Sequence, residues 1–225
     1  MAALTVVFDL DGTLVETAPD LVDALNVVLA HEGLPPVAYD IARNMIGGGG
    51  RRMVESGLQF YGRTPSSADL DRMFADFLAH YSAHIADRSR TFPGVDAALD
   101  GLAERGCRFA VCTNKLEGLS KQLLDALGLA PRFAAICGQD TFGMQKPDPE
   151  VLRRTIQAAG GELRQAIMVG DSGTDIATAR AAGVPVVAVD FGYSETPVRS
   201  LSPDRLISHF DDLGAAVLEL AAPTR

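Results

Sequence analysis

An apolar run, Val6-Val7-Phe8, that stops at Asp9-Leu10-Asp11-Gly12-Thr13 constrains this chain more than any other stretch. Short runs of β-branched and aromatic residues suit a strand buried on both faces of a parallel sheet. Two carboxylates at its end are costly to bury unless other charges balance them. The arrangement recurs downstream. Gln145-Lys146-Pro147-Asp148-Pro149 supplies a lysine, and Val169-Gly170-Asp171-Ser172-Gly173-Thr174-Asp175 supplies two more aspartates beyond a short apolar segment. Four acids and one lysine are therefore expected to converge on one site.

Apolar runs suited to parallel strands occur at 5–10, 108–113, 134–137, 166–170 and 185–190, and each but the last is trailed by helix-like sequence. That alternation predicts an α/β fold, a Rossmann-like parallel sheet flanked by helices. Between Pro19 and Arg90 it lapses into consecutive helical patterns at about 20–32, 51–61 and 68–87. A small α-helical cap inserted after the first strand is the expected cause. Leu14 to Ala18 marks its departure and Pro93-Gly94 its return. The expected division is a core of residues 1–17 and 91–225 with a cap of residues 18–90, linked by two short connections that would carry any hinge. At 225 residues and 47% hydrophobic, the chain has enough apolar sequence for one such core and a smaller element.

The formal charge of −9 disfavours a nucleic-acid surface, which needs clustered Lys and Arg. No window approaches the roughly 18 apolar residues of a membrane span, and the N-terminus lacks a secretory pattern, so a cytoplasmic location is expected. Cys107, Cys112 and Cys137 have no C-x-x-C spacing and read as reduced core residues rather than a disulfide or zinc framework. Both a monomer and a homodimer are compatible with this composition.

Ligands of open α/β sheets sit beyond the carboxyl ends of the strands, where Asp9, Asp11, Thr113, Asn114, Lys146 and Asp171 are expected to lie. One aspartate there could be a helix cap or a turn residue, but four across separate segments point to chemistry. A carboxylate can attack phosphorus and split one difficult hydrolysis into two easier steps. Like charges about 4 Å apart repel by roughly 4 kcal/mol at an effective dielectric of 20, so a phosphate meeting bare carboxylates requires a cation. Oxygen-only ligands suit Mg²⁺, with Mn²⁺ as a substitute. Lys146 would place a positive charge on the phosphate, and Thr113 with Asn114 would add neutral donors.

These segments resemble the four motifs of the haloacid dehalogenase superfamily of phosphatases, in the subgroup with a small helical cap. Asp9-Leu10-Asp11-Gly12-Thr13 resembles the first motif, Thr113-Asn114 the second, Lys146-Pro147 the third and Gly170-Asp171 through Asp175 the fourth. The resemblance implies an aspartyl-phosphate mechanism in which Asp9 is the nucleophile and Asp11 the general acid and base. It further implies that Mg²⁺ is held by Asp9, Asp171 and the main-chain carbonyl of Asp11, with Asp175 orienting the metal's water. Members that attack carbon lack an acid at the place of Asp11, so the pair implies a phosphoryl substrate.

Cys112-Thr113-Asn114-Lys115, Gly138-Gln139-Asp140-Thr141-Phe142-Gly143, Phe191-Gly192-Tyr193 and Pro203-Asp204-Arg205-Leu206-Ile207 are similar to the phosphoglycolate phosphatase branch. That similarity implies a small phosphorylated metabolite, 2-phosphoglycolate, as substrate. Another sugar-phosphate phosphatase, a phosphomutase of the same superfamily, or a catalytically silent binding protein on the same fold stay open. A signalling receiver domain also accepts phosphate on aspartate, but it has no helical insertion. In the cap, Ile46-Gly47-Gly48-Gly49-Gly50-Arg51-Arg52 precedes a helical pattern and could hold an anion through backbone N–H groups, with Arg51 as the substrate contact. The same glycines could instead form a loose connector.

Plainer readings suit the remaining candidates. His80 and His84 are expected at the surface or in cap packing, Phe74, Phe77, Leu78 and Tyr81 in a core stripe, and Cys112 as an inert buried thiol. Asp211 and Asp212 are expected to start the last helix.

Overall fold

The computed structural model describes residues 3–194 and 196–222. The first apolar run forms β1 (Thr5–Phe8), buried at every position. Side chains alternate across a strand, so Val6 and Phe8 join an apolar cluster on one face of the sheet while Val7 joins a second cluster on the other. The chain then forms β2 (Val15–Glu16) and enters α1 (Ala18–His31), α2 (Tyr39–Ala42), α3 (Gly50–Phe60) and α4 (Ser67–Ala83). It returns through β3 (Arg90–Thr91), antiparallel to β2 with Val15 opposite Thr91. Helices and strands follow as α5 (Val95–Ala103), β4 (Arg108–Cys112), α6 (Glu117–Ala126), β5 (Ala135–Cys137), α7 (Pro149–Ala158), β6 (Ala166–Gly170) and α8 (Gly173–Ala182). The last elements are β7 (Val186–Val189), β8 (Arg205–Ile207) and α9 (Leu213–Ala221).

Among the described residues, six strands pair in parallel in the order β5-β4-β1-β6-β7-β8. With β1 at the centre, successive connections leave toward β4 on one side and β6 on the other. This reversal opens a crevice beyond the carboxyl ends of β1, β4 and β6. Apolar packing runs without a break from the sheet into the insert, since Phe8, Leu25, Leu58 and Phe77 belong to one cluster.

The five apolar runs become β1, β4, β5, β6 and β7, and the three helical patterns become α1, α3 and α4. The insert leaves after β1, the first strand of the six-stranded sheet in chain order, with the two-residue β2 at its entrance. Strands of two residues contain no repeat, so β2 and β3 left no periodic signal, and β8 is only three residues long with its first exposed. No described helix is long and apolar enough to cross a membrane.

Both ends of the insert are pinned by hydrogen bonds. Thr17, the residue before α1, makes no capping bond with its own side chain. The hydroxyl of Tyr193 takes that role from the far end of the chain, accepting from the N–H groups of Thr17 at 2.7 Å and Ala18 at 3.0 Å and donating to Glu16 at 3.0 Å. In the first turn of α1, buried Asp20 accepts from the N–H groups of Arg88 at 3.1 Å and Ser89 at 2.8 Å and from the Ser89 hydroxyl at 2.7 Å. Tyr193→Phe strips two N–H groups of their acceptor, and stability is expected to fall by about 2 to 4 kcal/mol in urea or thermal unfolding. A loss below about 0.5 kcal/mol would mean that water replaces the hydroxyl.

Candidate active site

Asp9 follows β1 directly, and its N–H continues the sheet by donating to the Val169 carbonyl at 2.9 Å. The chain then turns through Gly12 at φ +82°, where a Cβ would lie 2.5 Å from Asp171 Oδ2, so no other residue fits. The Thr13 hydroxyl donates to Asp171 Oδ1 at 3.0 Å, and the Tyr193 N–H donates to Asp171 Oδ2 at 2.7 Å. Ser172 caps α8 in a reciprocal box: Asp175 Oδ2 accepts from the Ser172 N–H at 3.1 Å and its hydroxyl at 2.6 Å, while the Asp175 N–H donates to Ser172 Oγ. The other oxygen of Asp175 accepts from Lys146 Nζ at 2.6 Å, and Lys146 Nζ also lies 2.8 Å from Asp9 Oδ1.

Carboxylate oxygens of Asp9, Asp171 and Asp175 lie within 4.8 Å of one another, and all three residues are buried. Burial pushes the Asp9 carboxyl up to about 6, opposed by Lys146 and reinforced by the charge of Asp175. Burial pushes Asp171 up to about 8, and repulsion from Asp175 and Asp9 adds to it despite the bonds from Tyr193 and Thr13. Burial would lower Lys146, but Asp175 and Asp9 outweigh it and hold the ammonium above its usual range. Asp9 and Asp175 thus share one buried lysine, while Asp171 has no ion pair among the described residues. An oxygen-only donor set with excess negative charge fits a hard divalent cation.

The remaining candidates divide. Thr113 is buried beside Asp9's strand end, and its Oγ1 accepts from the Lys115 N–H at 3.2 Å, which leaves its own O–H to donate. The Asn114 side chain bonds Lys146: its Oδ1 accepts from the Lys146 N–H at 2.9 Å and its Nδ2 donates to the Lys146 carbonyl at 3.2 Å. Its Nδ2 also donates to the Gly47 carbonyl at 3.4 Å, so the side chain both positions Lys146 and ties it to the insert. Asp11 lies outside the acid trio, and both of its oxygens accept from Lys115 Nζ, at 2.9 and 3.0 Å. Arg51 does not reach the site either. Its side chain is 44% exposed and pairs with Asp71 of α4 at 2.9 Å, because adjacent Gly50 faces Phe74 and Phe77 and each step along a helix turns the next residue about 100° away.

A pocket opens between sheet and insert, lined on the sheet side by Asp9, Asp11, Thr113 and Lys115 and on the insert side by Met53, Phe74, Phe77, Leu78 and Tyr81. The stripe of α4 is thus a pocket wall as well as core, which corrects the plainer reading. Helical spacing showed that the four share a face but not what the face meets. Gly47, Gly49 and Gly50 also line it. Lys115 was the residue missed, although it follows Thr113-Asn114 directly.

His80 and His84 lie 4.6 Å apart, ring to ring, and pair with Asp23 and Asp87. Burial pushes the Cys112 thiol up to about 12, an inert group at neutral pH, and all three cysteines are free. Asp211 and Asp212 fall in a short 3-10 turn that leads into α9.

Residues 6–189 match the family described as Haloacid dehalogenase-like hydrolase. The chain is 49% identical over 219 residues to a phosphoglycolate phosphatase of Mesorhizobium japonicum, covering 97% of this chain and 96% of that protein. It is 45% identical to one of Caulobacter vibrioides, covering 96% and 91%. A crystal structure of a predicted phosphoglycolate phosphatase from Haemophilus somnus superposes with a TM-score of 0.86 at 29% identity, covering 94% of this chain and 96% of that one.

Proposed function

The chain belongs to the haloacid dehalogenase-like hydrolase family, and from its likeness over nearly its full length to phosphoglycolate phosphatases we infer that it is one, hydrolysing 2-phosphoglycolate to glycolate and phosphate. The observation that carries the reading is the pairing of a buried acid trio with a pocket whose insert-side walls are apolar. Leu21, Ile46, Met53, Phe74, Phe77 and Leu78 offer no side-chain partner to the several hydroxyls of a sugar, Tyr81 alone among the described residues brings a polar group to that side, and each hydroxyl left unpaired would be penalised. A short ester has one polar group beyond its phosphate to satisfy.

The carboxylate of Asp9 attacks phosphorus and the bond to the glycolate oxygen breaks, with Asp11 giving that oxygen a proton. Asp11 then takes a proton from the water that cleaves the acyl phosphate, which releases phosphate and restores Asp9. Lys146 faces the phosphoryl oxygens as a fixed charge, held by Asp175 and by the side chain of Asn114. Asp9, Asp171 and the Asp11 main-chain carbonyl would hold Mg²⁺, which would supply charge neutralisation of the phosphate when bound. Residues 18–90 act as a cap that closes over the substrate and excludes water until the acyl phosphate has formed, and residues 1–17 and 91–225 as the catalytic core.

Phosphate release from a panel of monoesters, with and without Mg²⁺, tests the reading. A kcat/KM for 2-phosphoglycolate at least about 100-fold above those for sugar phosphates, and dependent on the metal, is expected. Preference for a sugar phosphate would keep the chemistry and overturn the substrate.

A further inference from the structure

Among the described residues, Lys115 is the one lysine or arginine lining the pocket that holds Asp9 and Asp11. Its side chain is only 5% exposed, and its ammonium sits 4.5 Å over the ring of Tyr81 while bonding both oxygens of Asp11. The Tyr81 hydroxyl, on the insert side of the same pocket, is buried beside the Lys115 ammonium, and among the described residues its proton has no acceptor. A buried donor without a partner costs about 1 to 3 kcal/mol. Burial pushes that phenol up to about 12, so it is a donor at neutral pH.

The loop that carries Lys115 is braced. Its carbonyl accepts from the Gln139 N–H at 3.1 Å, the Glu117 N–H donates to Asp140 Oδ1 at 2.8 Å, and a Cβ on Gly138 would lie 2.3 Å from the Glu117 nitrogen. The 138–143 segment therefore fits closely under residues 115–117 and fixes where Lys115 starts.

We propose that Lys115 and Tyr81 form the subsite for a substrate carboxylate, so that the pocket selects phosphate esters of short carboxylic acids, and that the arriving carboxylate draws Lys115 off Asp11. The proposal deepens the phosphoglycolate reading and rests on it. The pocket then has a cation for the second anionic group without any arginine from the insert. Arg51 points outward, and exposed Arg52 lines a neighbouring cleft that contains neither Asp9 nor Asp11. Specificity and chemistry become linked, because an ester without a carboxylate leaves Asp11 held by Lys115.

The test compares 2-phosphoglycolate with ethyl phosphate, which replaces the carboxylate by a methyl group. The ratio of their kcat/KM values is measured for the wild type, Lys115→Met, Tyr81→Phe and Arg52→Ala. A fall in that ratio of about 100-fold in Lys115→Met and about 10-fold in Tyr81→Phe is expected, with Arg52→Ala holding the wild-type ratio. Tyr81→Phe removes a hydroxyl whose proton has no acceptor in the free protein and keeps the ring under the Lys115 ammonium, so its melting temperature should change little, and lost preference cannot be blamed on lost structure. If Lys115→Met turns over too slowly to assay, calorimetry with the non-hydrolysable isostere phosphonopropionate should show the same loss relative to inorganic phosphate. A wild-type ratio that survives in both variants, or collapses in Arg52→Ala instead, overturns the subsite. A wild type that shows no preference for 2-phosphoglycolate overturns the substrate reading beneath it.

Discussion

Asp9→Asn is expected to lower kcat on 2-phosphoglycolate by about 10⁴-fold or more while leaving the protein at least as stable as the wild type. An amide cannot form the acyl phosphate, so the loss is that of the reaction path rather than of one contact. Stability should survive for reasons visible in the site. Asp9 Oδ1 faces Lys146 Nζ at 2.8 Å, and an amide oxygen in its place can still accept from the ammonium. Lys146 keeps Asp175 at 2.6 Å and is not left unpaired. Burial already disfavours the charged form of Asp9, holding its carboxyl at about 6, and removing that charge relieves the cost. Intact-mass measurement after acid quench should find a phosphoryl adduct on the wild type and none on the variant. A variant within about 10-fold of the wild-type kcat would place the nucleophile elsewhere.

Asp171→Asn should raise the melting temperature of the metal-free protein at pH 8 by about 10 °C and remove most of the stabilisation that Mg²⁺ confers. The folded protein holds Asp171 at about 8 against an ordinary carboxyl value of 3.8. Between about pH 4 and 8 the folded state therefore binds a proton that the unfolded state has released. By linkage, metal-free stability falls as pH rises through that window, by several kcal/mol in order of magnitude, and the loss is complete above it. Asparagine carries no charge to desolvate, so the gap between variant and wild type should widen from pH 5 to pH 8. The hydrogen bonds survive the change, because the amide oxygen can accept from the Tyr193 N–H while the amide nitrogen donates to the Thr13 hydroxyl. In the wild type the cation displaces that proton, so its stabilising effect should itself grow with pH. Thermal melts of both proteins at pH 5, 6.5 and 8, with and without Mg²⁺, read all of this. An equal Mg²⁺-induced rise in wild type and variant would remove Asp171 from the metal site.

Much of this could be read along the chain because the signals are local. A buried parallel strand is a short β-branched run, and β1, β4, β5, β6 and β7 each show one. Asp9, Asp171 and Lys146 follow such runs or sit in the loops beyond them, and a doubly wound sheet gathers those ends into one crevice. Elements without an internal repeat escaped. The β2–β3 pair is two residues a side, and the Tyr193 hydroxyl that caps α1 comes from 176 residues away, farther than any capping pattern extends.

The amino-acid order by itself determined the α/β class, the helical insert and the set of acids at the strand ends, since each follows from periodicity or from adjacency to an apolar run. Only the tertiary structure decided which of the nearby polar groups faces the pocket. Arg51 and Gly50 are neighbours in the chain, yet the packing of α3 against α4 turns Gly50 onto Phe77 and leaves Arg51 on Asp71. Asn114 and Lys115 are neighbours too, and the loop directs one toward the Lys146 backbone and the other onto Asp11 beneath Tyr81. The physical reason is that side-chain direction is set by the rotation of the element and by what packs against it, and the partners that set it lie tens to hundreds of residues away.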